Sequence, residues 1–128
     1  MTPHTDLASL FRALSDPTRL RLLNLLGGGE ICVCYFVAVI GTSQPKVSRH
    51  LAYLRKARVV VARRKGKWMY YRLADPSASE LPGLVRRFLS ELHREPQMQS
   101  DLARLRDLTK RTNGRPSALQ PIAGLPNL

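Results

Sequence analysis

Thr42–Lys56, TSQPKVSRHLAYLRK, is the stretch whose reading decides the fold. It reads as a helix. Ser43 is a suitable N-cap, its hydroxyl accepting from a backbone N–H that the first turn leaves unpaired, and Pro45 falls in that turn, where a missing N–H costs nothing. Val47, Leu51 and Leu54 recur at i, i+4 and i+7 and form one apolar stripe. The opposite side carries Pro45, Ser48, Arg49, Ala52, Tyr53 and Lys56, flanked by Gln44, Lys46 and His50. Small, amide, hydroxyl and guanidinium groups in the first two turns suit base edges and phosphates. An ordinary solvated face is the competing reading, and the neighbouring segments decide between the two.

Upstream lies Ile31–Ile40, ICVCYFVAVI, whose β-branched and aromatic content leans towards a strand. A short turn, Gly41-Thr42-Ser43, joins it directly to the helix, and helix, glycine-bearing turn, helix is the helix-turn-helix pattern. A short helix is therefore expected there. Downstream, Val59–Ala62 and Trp68–Leu73 are two strand-like runs flanking a basic tip with Gly66, which predicts a β-hairpin. A hairpin directly after a helix-turn-helix is a wing, and Arg63, Arg64, Lys65 and Lys67 are placed to grip phosphates or an adjacent minor groove.

Further out, Leu7, Leu10, Phe11 and Leu14 give a short amphipathic helix. Asp16 then caps a leucine-rich core helix, about Pro17–Leu26, that Gly27-Gly28-Gly29 stops. Residues 78–95 form a longer helix through Leu81, Leu84, Val85, Phe88, Leu89 and Leu92, and Met98–Lys110 another. The expected class is mainly α with a β-hairpin wing (α+β), a winged helix-turn-helix over residues 1–110. A flexible tail is expected over 111–128, where three prolines and two glycines of TNGRPSALQPIAGLPNL break any periodicity. The first helix and the Leu81–Leu92 helix carry more apolar surface than so small a core needs, which predicts a homodimer through Leu7, Leu10, Phe11, Leu84, Val85, Phe88 and Leu92; that they simply cover the core from either end is the alternative. Two-fold symmetry would present two reading helices to half-sites one helical turn apart.

The 128 residues are 44% hydrophobic, enough for one small core, and carry a formal net charge of +12. That charge is localised: from residue 31 to 74 there is no acidic side chain, against ten lysines and arginines. The partner this implies is double-stranded DNA rather than a membrane surface. The longest apolar run, Ile31–Ile40, is half the ~20 residues of a spanning helix, and Asp6 in a start without a long apolar core argues against a secretory signal. Two cysteines are no disulfide framework, so a cytoplasmic protein with reduced thiols is expected.

Four blocks carry a resemblance: Leu14-Ser15-Asp16-Pro17-Thr18-Arg19-Leu20, Glu30-Ile31-Cys32-Val33-Cys34, Ser43–Leu51 and Arg63–Leu73. Over roughly residues 5–95 the chain resembles the ArsR/SmtB-type metal-sensing winged-helix repressors, most of all their arsenical-resistance branch. The resemblance implies a homodimeric repressor of its own resistance operon that leaves operator DNA when As(III) or Sb(III) binds as inducer; no organic cofactor is implied. Cys32 and Cys34 match that branch's Cys-Val-Cys, whereas Tyr35-Phe36 replaces its usual Asp-Leu and Val37 stands where a third thiol could be. The family's usual glycine after the reading helix is missing too; Arg58 holds that place, where a left-handed backbone is mildly strained.

Soft thiolates suit a soft, thiophilic ion, and a helix N-terminus favours the thiolate. With no third cysteine, a site of three sulfurs from one subunit is impossible; a small thiol, hydroxide, water or the second subunit would have to complete it. On the regular helix expected there the two sulfurs point about 200° apart and cannot converge on one ion, so its capture is expected to unwind the first turn and tilt the reading helix. Buried cysteines acting as small hydrophobes are the plainer alternative, leaving a repressor that senses another ligand or none. Zinc fits poorly: His4, His50 and His93 are scattered, and four N/S ligands are wanted. A thiol-redox enzyme fits no better, lacking Cys-x-x-Cys, a βαβ context and a partnered base.

Overall fold

The structure, a computed structural model, describes residues 7–75 and 80–119, the side chains of 80–82 excepted. Among the described residues six α-helices and a three-stranded sheet follow in the order α1 (Leu7–Leu14), α2 (Pro17–Leu25), β1 (Ile31–Cys32), α3 (Val33–Ile40), α4 (Gln44–Lys56), β2 (Val60–Lys65), β3 (Trp68–Leu73), α5 (Glu80–Leu92) and α6 (Pro96–Thr112).

Local chemistry sets the boundaries. Asp16 Oδ1 accepts from Arg19 N at 3.0 Å and Pro17 occupies the first turn of α2. Beyond α2 one 3₁₀ turn, Leu26–Gly28, leads into β1. Gly41, at φ 77, lets α3 end on a left-handed residue whose N–H bonds Val37 O at 2.9 Å. Ser43 Oγ then caps α4. At the other end of α4 the 5→2 and 6→1 bonds, Arg58 N to Arg55 O and Val59 N to Leu54 O, close a left-handed cap on Arg58 at φ 65. The expected non-glycine cap is there.

The helix expected over Ile31–Ile40 begins two residues late. The first two residues of that run are a strand, paired antiparallel with β3 as Ile31↔Tyr71 and Cys32↔Tyr70; the rest is α3. The sheet order is β1-β3-β2, and the wing hairpin runs from Val60↔Leu73 to Lys65↔Trp68. The core sits beneath α4, where Leu10, Leu22, Leu23, Leu25, Phe36, Val47, Leu51 and Leu54 are at most 1% exposed.

α6 reaches Thr112, two residues past the expected domain limit. It is pinned to α2 by the buried Asp101, which accepts from Arg21 Nε at 2.7 Å and Nη2 at 2.9 Å. Asn24 Nδ2 donates to Met98 O at 3.1 Å, and Thr112 Oγ1 meets Tyr35 Oη at 2.5 Å. A 3₁₀ turn, Pro116–Ala118, follows; residues 120–128 of the expected tail lie outside the described residues. Among the described residues no helix is long and apolar enough to cross a membrane.

Candidate DNA-reading face and thiol site

α4 shows its apolar stripe to the core and its polar side outward. Val47, Leu51 and Leu54 are fully buried, while Pro45, Lys46, Arg49, Ala52 and Tyr53 are exposed and Ser43, Gln44, Ser48 and His50 half-buried. Gln44 Nε2 donates to Ser48 Oγ at 3.1 Å, which fixes the amide in the first turn. His50 is tied inward: its Nδ1 lies 3.3 Å from Arg19 Nη1 and 3.9 Å from Asp16 Oδ1. Sequence reading missed Arg19. Its Nε and Nη2 cap α1 at Ala13 O (2.7 Å) and Arg12 O (3.0 Å), and its guanidinium lies 4.2 Å from the centre of the Tyr53 ring. One cation thus locks α1, α2 and α4 together.

The wing tip carries Arg64, Lys65 and Lys67 into solvent around Gly66, whose φ of 63 admits the tight connection. Arg63 differs from them. Its Nη2 and Nε donate to the two oxygens of Glu30 at 2.6 and 2.8 Å, and its guanidinium lies 4.8 Å from the Tyr70 ring centre. That fork holds the Glu30 carboxyl below the usual carboxylate range.

The two cysteines come together. Both are buried, neither forms a disulfide, and Cys34 Sγ donates to Cys32 Sγ across 2.9 Å. Here the structure overturns an expectation. The 200° rule needs both residues on the helix, but Cys32 is its N-cap, extended at φ −69 and ψ 142, so the chain turns between the two sulfurs and they converge. An ion held at ~2.3 Å from each of two sulfurs wants them about 3.3–3.8 Å apart. Each would shift by less than about half an ångström, which needs no unwinding of α3.

The pair is also electrostatically split. The Cys34 thiol, then the backbone N–H groups of Cys34 and Val33, favour a thiolate on Cys32 and hold its pKa below the ordinary 9.0, against burial. Cys34 is pushed far up, first because its proton serves Cys32, then by burial and the neighbouring charge. Of the two, Cys32 is the readier to become a thiolate and Cys34 the readier to keep its proton. Among the described residues no three His, Cys, Asp or Glu side chains gather to hold a metal ion, so the two sulfurs have no third such side chain beside them.

Of the apolar residues on α1 and α5, Leu10, Val85 and Leu92 point into the core at 0, 2 and 5% exposure. Leu7, Phe11, Leu84 and Phe88 stand out at 42–60%. Between the two helices runs an apolar groove of about 550 Å³, lined by Leu10, Phe11, Leu14, Leu84, Val85 and Phe88 among others.

Residues 16–61, the span from the α2 cap into the wing, match the description "bacterial regulatory protein, arsR family". The chain is 43% identical over 110 residues to the arsenic resistance transcriptional regulator ArsR2 of Pseudomonas putida, covering 84% of this chain and 89% of that one. It belongs to the ArsR family. To the arsenical resistance operon repressor of Escherichia coli it is 48% identical over 66 residues, 51% of this chain and 56% of that one. Among solved structures it is similar to the homodimeric winged helix-turn-helix DNA-binding domain of Mb0332, a possible ArsR-family regulator from Mycobacterium bovis. That likeness has a TM-score of 0.56 and 30% identity, over 74% of this chain and 94% of that one. This ArsR-family chain is thus a winged helix-turn-helix transcriptional regulator, not an enzyme.

Proposed function

We propose that this ArsR-family chain is a metalloid-responsive repressor that binds its operator as a homodimer and leaves it when As(III) or Sb(III) occupies Cys32 and Cys34. The observation that carries the reading is the pair of buried sulfurs, 2.9 Å apart, with Cys32 itself on a strand of the wing's sheet. On duplex DNA, α4 enters the major groove, with Gln44, Ser48 and Arg49 at base edges and Ser43, Pro45 and Lys46 against the backbone. His50, held by Arg19, sets the angle of the helix and reaches the nearest phosphate. Arg64, Lys65 and Lys67 grip phosphates beyond, with Arg63, forked to Glu30, behind them in the middle of β2.

Arsenite exchanges two hydroxyls for the two sulfurs, each hydroxyl leaving as water with a thiol proton, or as hydroxide where Cys32 is already a thiolate; its third position keeps hydroxide, or takes a small thiol or a sulfur of the second subunit. The protein acts in the cytoplasm, where both thiols stay reduced. The second copy packs on the groove between α1 and α5.

The test is fluorescence anisotropy of the region upstream of its own gene, with and without arsenite. Arsenite is expected to release the wild type and to leave a C32S/C34S double variant bound. Release of the double variant, or a wild type that arsenite and antimonite leave bound, overturns the metalloid reading in favour of a same-fold repressor with structural cysteines.

A further inference from the structure

The thiol site and the wing share one sheet. Cys32 on β1 pairs with Tyr70 on β3, and Tyr70 pairs with Arg63 on β2. Residues in register across a sheet share a face, so Cys32, Tyr70 and Arg63 form one transverse row. Glu30, two residues before Cys32, closes that row with its two-bond fork to Arg63, whose guanidinium lies over the Tyr70 ring.

We infer that Glu30 is the positioning residue through which the thiol pair acts on DNA: occupation of Cys32 and Cys34 moves β1, and the Glu30–Arg63 fork carries that movement into the wing. The inference rests on the proposed function and adds its route. Which sulfur yields when the pair spreads follows from how each is held. Cys34 is on α3, where seven of eight residues are buried. Cys32 lies on a strand of two residues preceded by the exposed Gly27–Glu30. β1 is the softer support, so β1 moves. Its backbone is bonded to β3 and its neighbour Glu30 is bonded to β2, so both strands of the hairpin receive the displacement. The output is the tip Arg64–Lys67 rather than the tilt of α4, whose stripe is locked in the core.

Trp68, the chain's single tryptophan, stands where the tip rejoins β3 and reports on it. The full-length protein is loaded with arsenite and, separately, with mercuric ion, which binds a close thiol pair whatever the natural inducer. Loading is followed by the ultraviolet sulfur–ion band and the wing by the Trp68 emission wavelength, with C32S/C34S as baseline. Loading is expected to shift the wild-type emission. Glu30→Gln, nearly isosteric, is expected to bind the ion with the same midpoint, to lose at least half of that shift, and to lower the ion-induced change in operator affinity at least about fivefold, within the usual span of coupling between two sites. An equal shift in Glu30→Gln, or a loaded wild type whose emission does not move, overturns the inference. If mercuric ion loads and arsenite does not, the metalloid reading fails while the mercuric arm still decides the role of Glu30.

Discussion

A hydrogen bond between two identical groups makes them different, and Cys32 and Cys34 show how. The proton on Cys34 stabilises negative charge on Cys32; the same proton is thereby held on Cys34. Cys32 titrates below the ordinary 9.0, so its thiolate is present above its lowered pKa and lost as the pH falls through it. Cys34→Ala removes the first cause of that depression and keeps the second, the N–H groups of Val33 and its neighbour. Thiolate absorbance against pH is therefore expected to show the Cys32 step moving upward in Cys34→Ala. A step that stays in place would assign the depression to the helix N-terminus alone. Arg58 shows the same economy at another residue: its φ of 65 carries a modest strain that two cap bonds and the join to β2 retain.

Elements differ in how far the sequence foretold them, and the difference follows from where their bonding partners lie. α4 needed only its own residues, a cap at Ser43 and an i, i+4, i+7 stripe, and the wing needed two runs and a glycine. β1 needed β3, some forty residues away; with two residues it has no period of its own, and that is why the meeting of the two sulfurs was illegible. The anchoring of α6 was hidden for a like reason. Nothing in the sequence paired Arg21 or Asn24 of the leucine-rich helix with Asp101 or Met98. The α2–α6 contact gives an unequal pair of outcomes. Asp101 is 3% exposed and, among the described residues, keeps the 2.9 Å bond from Gln97 Nε2 when Arg21 is gone, whereas the Arg21 side chain, 24% exposed, can turn to solvent. Arg21→Met strands a buried charge and is expected to cost about 3 kcal/mol; Asp101→Asn is expected to cost about 1 kcal/mol. Urea unfolding of both variants measures the order, and a larger loss in Asp101→Asn would reverse the account of the contact.

At the scale of the whole molecule, the apolar residues of α1 and α5 divide by the direction they face, and the division separates folding from assembly. Leu10 and Val85 belong to the protomer core, so a charge there would unfold the chain. Phe11 and Phe88, 60 and 44% exposed on the groove's rim, contribute little to that core, and in the proposed dimer they meet the second copy. In a two-fold interface every substitution acts twice. Burying a phenylalanine is worth roughly 2 kcal/mol, so Phe11→Glu removes about 4 kcal/mol from the dimer, a loosening of about a thousandfold, before the repulsion of the new charges is counted. Sedimentation equilibrium is expected to show Phe11→Glu as a folded monomer with an unchanged far-ultraviolet spectrum. Its affinity for one half-site should stay near the wild type's, since α4 and the wing are untouched, while the advantage of two half-sites in register disappears. A Phe11→Glu protein that still sediments as a tight dimer would place the interface on another face. Two reading helices would then have to be brought into register by surfaces other than the groove between α1 and α5.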